Sequence, residues 1–314
     1  MDIDHPQLSF VAACRDPQRL PADYRGEMRI GDLRDPEYLD RLLVGIDIIC
    51  HCAGWTSFLN QPRLSVSHYL DPAVDLFNRA LEWRVTRFVN LSSVAVAATA
   101  QRQHDDSNGR PRRGQAMLNC MIGFEDYLKA HSTQRISVIN LRAGIYCGRG
   151  LQRGLLPLLQ RLRLPFYSTG DHAYMPVVDA RDLAQAFIRA ALAPNDGSYR
   201  SFNICGPEQP TQGEVFKHLA RYASSSQPGF GVPELIGRNY ARLTARLYRE
   251  STGPGMTGTL NSLLYNPPID IEQARRQLGY DPQVNWQASL NDWLQHPATQ
   301  LDDRSLMQAD SRAV

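Results

Sequence analysis

Two apolar runs decide the fold: Ile46-Asp47-Ile48-Ile49-Cys50-His51-Cys52-Ala53-Gly54 and Arg87-Phe88-Val89-Asn90-Leu91-Ser92-Ser93. Each reads as a buried strand that ends in small residues. Between them, Val66 to Trp83 carries a helical pattern. Strand, helix and strand in this order build a parallel pair through a right-handed crossover. The same alternation extends outward. Upstream, Leu8 to Cys14 and Met28 to Ile30 read as strands. Tyr38, Leu39, Leu42 and Leu43 share one face of a helix opened by Pro36. Downstream, Gln101 to Gln115 is a polar loop bearing Arg102, Arg110, Arg112 and Arg113. Ala116 to His131 reads as a helix and Ile136 to Leu141 as a strand.

After Gly150 the pattern changes. Helices are expected at Leu155 to Leu164, Ala180 to Leu192, Thr211 to Tyr222, Val232 to Arg249 and Asp270 to Leu278. Strands are expected at Pro176 to Asp179 and Ser201 to Cys205. The domain reading is a Rossmann-type unit over 1–150 and 176–206, a smaller and mostly helical substrate lobe over 151–175 and 207–295, and a polar tail over 296–314.

Composition narrows the function. Of 314 residues, 43% are hydrophobic and 21% charged, enough apolar mass for a full core. With 34 basic and 32 acidic residues the net charge is +2, which gives no reason to expect nucleic acid or an anionic membrane as partner. No uncharged apolar run approaches membrane-spanning length. The six cysteines lie singly in apolar stretches, apart from Cys50-His51-Cys52, and form no CxxC pair. They read as reduced thiols of a cytoplasmic protein, with no metal site. Lys129 and Lys217 are the only lysines, so a lysine-dependent mechanism has two candidates.

The order and spacing of several short motifs resemble the NAD-dependent epimerase/dehydratase family, the extended short-chain dehydrogenase/reductases, from about Phe10 to about Trp293. The likeness rests on Arg15-Asp16-Pro17, Gly31-Asp32-Leu33, His51-Cys52-Ala53-Gly54, Arg87-Phe88-Val89 with Ser92-Ser93, and Leu141-Arg142. It continues through Val178 with Asp182-Leu183-Ala184, Phe202-Asn203-Ile204 with Gly206, and Ala274 to Tyr280 with Pro282. The resemblance implies an α/β Rossmann-type parallel sheet that binds NAD or NADP, a small-molecule substrate, and a homodimer. It assigns Arg15, Asp32, Leu33, Cys52, Ala53, Gly54, Ser92 and Ala143 to the cofactor, with Arg15 facing a 2′-phosphate. Ser93 is assigned to the reacting oxygen of the substrate.

Three departures from the family pattern shape the expectation. No glycine-rich phosphate loop precedes the first recognisable strand, so the sheet is expected to lack its first βα unit. That strand ordinarily lies between the second and fourth. The catalytic YxxxK is replaced by Met117 and Met121, whose thioethers can neither transfer a proton nor carry the needed charge. Val96-Ala97-Ala98 replaces VYG, Ala143 replaces a proline, and Met175 stands where sugar-nucleotide members often carry an arginine. The leading reading is a dinucleotide-binding relative that does not run the Tyr/Lys chemistry. Two alternatives stay open: an oxidoreductase or epimerase using other groups on a small carbonyl or hydroxyl substrate, and a non-enzymatic scaffold.

Overall fold

The computed structural model describes residues 8–21, 23–55, 60–97, 115–133, 135–149, 151, 167–169, 174–195, 197–222, 231–233, 236 and 268–295. The chain divides into two compact units. One holds residues up to Arg142 together with Phe187–Phe202. The other holds Ala143–Ala186 and the described residues from Asn203 onward. The arginine-rich loop before Gln115, the helix expected at 155–164 and the tail from 296 lie outside the described residues.

In the first unit, β1 (Val11–Cys14) pairs in parallel with β2 (Glu27–Ile30), Cys14 opposite Ile30. Helix α1 (Pro36–Leu42) follows. It starts where the Asp35 carboxylate accepts the Glu37 N–H at 3.0 Å, with Pro36 in the first turn. Its Tyr38, Leu39 and Leu42 are buried. Next come β3 (Ile48–His51) and α2 (Pro62–Ser65), which runs through a π turn at Val66–Leu70 into α3 (Asp71–Glu82). Strand β4 (Arg87–Ser93) lies parallel to β3. Helix α4 (Ala116–His131) and β5 (Ser137–Ala143) complete the series. Strands β6 (Ile145–Cys147), β7 (Tyr167–Thr169) and β8 (Val177–Asp179) precede α5 (Ala180–Leu192) and β9 (Tyr199–Ile204).

The central sheet has the order β3-β4-β5-β9, and β1-β2 forms a separate pair. Among the described residues the ladder is broken between the two strand pairs, and β1 pairs only with β2 while β3 pairs only with β4.

The core of this unit is aromatic. Phe77 meets Phe88 edge-on at 5.3 Å between ring centroids, and Phe88 meets Phe124 at 6.3 Å. His51 is buried with them, 5.7 Å from Phe88 and 6.0 Å from Phe124. Buried Arg87 terminates α5: its Nη1 donates to the carbonyls of Ala190 at 3.0 Å, Ala191 at 2.8 Å and Ala193. Carbonyls at a helix C-terminus have no intrahelical donor, and a cation there also meets the negative end of the helix dipole.

In the second unit β6 pairs with β8 and β7 pairs with β10 (Gly231–Pro233), both in parallel. Helices α6 (Gln212–Tyr222), α7 (Glu272–Leu278) and α8 (Trp286–Gln295) complete it. The start of the helix expected from Val232 is corrected here: Val232 and Pro233 lie in a strand. Asp182 fixes the segment after α7 by accepting the N–H groups of Gln283 and Val284, each at 3.0 Å. Gly144 lets two backbones meet, since a Cβ there would lie 2.1 Å from the Pro176 carbonyl oxygen.

Candidate functional site

The carboxyl ends of β1, β2, β3 and β4 collect most of the residues that the sequence singles out. Ligands of open α/β sheets bind at such ends. Asp32, just past β2, is held by its near neighbour Arg34. The Arg34 N–H and Nε donate to Oδ1 at 3.0 and 3.1 Å, and Nη2 donates to Oδ2 at 2.8 Å. These bonds hold the Asp32 carboxyl down at about 2, against an opposing effect of partial burial. Arg15 lies 3.8 Å from the same carboxylate, with its side chain 65% exposed. Leu33 packs against the core.

Arg34 also reaches the helical segment after β3. Its Nη1 lies 3.0 Å from His68 Nε2. A guanidinium only donates, so that ring nitrogen accepts and Nδ1 carries the hydrogen. Nδ1 then donates to Ser67 Oγ at 2.8 Å, and Ser67 donates onward to the Arg63 carbonyl at 3.0 Å. The Trp55 ring stands 6.1 Å from His68. This Arg34–His68–Trp55 arrangement was not legible in the sequence. Its one signal is Trp55, directly after the Ala53-Gly54 turn.

Cys52, Ala53 and Gly54 are exposed at the end of β3. Gly54 has a packing reason of its own, because a Cβ there would sit 2.9 Å from the Tyr69 ring. Burial pushes the Tyr69 hydroxyl well above the ordinary phenol range.

At the end of β4 the two serines part company. Ser92 is buried, and its hydroxyl donates to Glu125 of α4. Glu125 is also buried and takes Arg142 of β5, Nη2 to Oε2 at 2.6 Å and Nε to Oε2 at 3.1 Å. Asn90 donates to Asn140 at 2.8 Å, and Asn140 donates to the Tyr199 hydroxyl at 2.7 Å. That hydroxyl lies 3.4 Å from Glu125. Ser92 thus belongs to a buried polar network. Ser93 is half-buried, and its Oγ accepts the Ala95 N–H at 3.2 Å, opening the short turn Val94–Val96. Ala143 is buried at the end of β5, in the second unit.

Met117 and Met121 lie half-buried on α4 and pack against the core. With Glu125 they fall at successive i, i+4 positions, one helical stripe. The Asn60 side chain accepts the Ala116 N–H at 3.3 Å, at the start of this helix. Among the described residues no group of three or more His, Cys, Asp or Glu side chains gathers to hold a metal. No described helix is long and apolar enough to cross a membrane.

Comparison with known proteins gives one family. The model of the NAD dependent epimerase/dehydratase family matches residues 7–205. No curated protein sequence matches. Among solved structures, MoeE5 in complex with UDP-glucuronic acid and NAD is 18% identical with a TM-score of 0.68, covering 91% of this chain and 90% of its own. WbmG of Bordetella bronchiseptica in complex with NAD is 15% identical with a TM-score of 0.64, covering 93% of this chain and 87% of its own. The Thermus thermophilus UDP-glucose 4-epimerase in complex with NAD is 16% identical with a TM-score of 0.66, covering 91% of this chain and 90% of its own.

Proposed function

Because the chain belongs to the NAD-dependent epimerase/dehydratase family, we propose that it binds a nicotinamide dinucleotide at the carboxyl ends of β1 to β4 without running the proton and hydride transfers that need a tyrosine–lysine pair. When bound, such a cofactor supplies a hydride acceptor or donor. The residues present fit its adenosine half. Asp32 is ionised and fixed by Arg34, Arg15 stands beside it with an exposed guanidinium, and the exposed Cys52-Ala53-Gly54 turn leaves room for close approach. A fixed carboxylate at a strand end can accept from ribose hydroxyls, and small residues let the backbone approach the phosphates closely. MoeE5, WbmG and the Thermus epimerase are all described with NAD, which supports the same ligand class here.

The reading is carried by the stripe on α4. Where proton transfer would need a titrating group, the helix offers two thioethers. The next group along the stripe is the Glu125 carboxylate, fully buried and committed to Arg142 and Ser92. It has no accessible face from which to serve a substrate. Ser93 retains a half-buried hydroxyl at the strand end, the one feature that favours the alternative of surviving chemistry.

Fluorescence titration of the full chain with NADH and NADPH tests binding. Hydride transfer is followed with UDP-glucose and with a panel of small aldehydes and ketones. We expect saturable binding without turnover. Restoring the pair as Met117→Tyr with Met121→Lys should raise transfer by about a hundredfold or more, the ordinary contribution of positioned acid–base groups. Turnover by the wild-type chain would overturn the reading in favour of unorthodox catalysis. Failure of both dinucleotides to bind would leave the scaffold reading.

A further inference from the structure

Arg34 is shared between two partners, and one of them can change charge. Its Nε and Nη2 are engaged by the Asp32 carboxylate, at 3.1 and 2.8 Å, and Nη1 is the nitrogen that meets His68, at 3.0 Å. The donors of a guanidinium sit in a rigid planar fork and cannot be redirected one at a time. The present hold on Asp32 therefore depends on His68 receiving Nη1. The contact also spans the fold. It ties the residues just past β2 to the π turn between α2 and α3, 34 positions away in sequence. Turns of this kind occur frequently at functional sites.

The tautomer leaves no second way of making this contact. Ser67 Oγ lies 2.8 Å from Nδ1 and itself donates to the Arg63 carbonyl at 3.0 Å, so its one hydrogen is engaged and Nδ1 is the protonated nitrogen. A neutral imidazole then takes up a proton only at Nε2. That step turns the hydrogen bond into two donors facing each other at 3.0 Å, both positively charged. Behind Arg34 stands another cation, since Arg15 is 3.8 Å from the Asp32 carboxylate. One carboxylate is then set against three cations. The other side chains toward the ring are Trp55 after β3, uncharged and 6.1 Å away between ring centroids, and Asp71, three positions further along the chain. Histidine is the side chain that changes charge between about pH 8 and 5. The Asp32 carboxyl is held down at about 2 and stays ionised throughout that interval, so the change falls on the histidine side of Arg34.

We propose that His68 is a positioning residue for the dinucleotide site: its neutral imidazole fixes Arg34, Arg34 fixes Asp32 toward the ribose, and proton uptake by His68 releases both and weakens binding. The inference rests on the dinucleotide reading of the strand ends. It adds to that reading a pH dependence and a residue that no motif marks. Its sign opposes simple charge attraction. An anionic ligand beside a new cation binds more tightly as pH falls, whereas loss of the Arg34 hold makes it bind more weakly.

Calorimetric titration of the full chain with NAD between about pH 8 and 5 tests the binding arm, on the wild type, His68→Gln and His68→Phe. Glutamine offers a carbonyl oxygen to Arg34 and does not titrate, while phenylalanine keeps a ring beside Trp55 and offers no acceptor. Wild-type affinity should fall by about tenfold across the interval, as expected for loss of a charge-assisted bond. His68→Gln should stay within about threefold of the neutral wild type at both ends, and His68→Phe should be about tenfold weaker at every pH. A second readout uses the free chain. NMR of the His68 ring should show the Nδ1–H tautomer at pH 8. The Arg34 Nε–H signal, displaced by its bond to Asp32, should move toward that of free arginine as His68 takes up its proton, and stay in place in His68→Gln. An affinity that rises or stays level as pH falls would overturn the proposal. So would an equal fall in His68→Gln, or an Arg34 signal that does not move while His68 titrates. Absence of NAD binding at every pH would overturn the dinucleotide reading and this one with it, and the free-chain signals distinguish that result from a failure of the coupling between His68 and Arg34.

Discussion

At the scale of single residues, the strongest constraints are buried polar groups whose partners decide their cost. His51 has no hydrogen-bond partner for Nε2 and is packed between aromatic rings. Burial lowers its pKa from 6.5 to about 4. The unfolded chain takes up the proton first as pH falls, so this contribution to stability is complete above about 6.5 and is lost progressively toward 4. The expected slope is roughly 1.4 kcal/mol per pH unit within that window. Urea midpoints measured from pH 7 to pH 4 should show it, and His51→Phe should flatten it. An unchanged slope in the variant would place the acid sensitivity elsewhere. The Glu125–Arg142 pair behaves differently, because each charge justifies the burial of the other. Glu125→Gln leaves Arg142 short of its charge partner and should destabilise the fold by about 3 kcal/mol or more. Replacing both together, Glu125→Leu with Arg142→Met, should recover most of that loss in the same denaturation assay.

At the scale of elements, the cap that Arg87 places on α5 is a long-range feature with a local effect. Its guanidinium satisfies three terminal carbonyls at once. Arg87 Nε also donates to Ser137 Oγ at 3.1 Å, which fixes the guanidinium against the helix end, and lysine has no second donor nitrogen to do this. Arg87→Lys should therefore cost about 2 kcal/mol, with faster amide exchange concentrated in the last turn of α5. A loss spread evenly over the sheet would point to β4 instead. Much of this level was legible in the sequence. Helix α4 and β8 fall where periodicity placed them, because their patterns are carried by their own residues. The Gly231–Pro233 strand was not legible, since its partner Tyr167–Thr169 lies far away in sequence. The site was half legible. Asp32, Ser92 and Gly54 were marked by motif, but the bonds that Arg34 and Glu125 make to the first two, and the Tyr69 ring against the third, were not. A motif records which residue stands at a position, and the hydrogen bonds that occupy it are set by packing.

At the scale of the whole molecule, the scarcity of lysine permits a test by elimination. Lys129 and Lys217 are the only two in 314 residues. Both are exposed: Lys129 stands 5.8 Å from the Tyr199 ring centroid near the end of α4, and Lys217 lies on α6. Neither has a tyrosine four residues before it, where Glu125 and Gly213 stand instead. If the chain binds a dinucleotide through Arg15, Arg34 and the strand ends, no lysine contributes to binding. Lys129→Arg with Lys217→Arg should then leave the NADH and NADPH affinities within about twofold of wild type, as distant surface substitutions usually do. Arg34→Ala, which frees Asp32 and removes the link to His68, should weaken both by about tenfold, since it strips a charge-assisted bond from the site. If the lysine-free chain lost affinity, one of these two exposed ammonium groups would hold the ligand, and the site would have to be moved from the strand ends to α4 or α6.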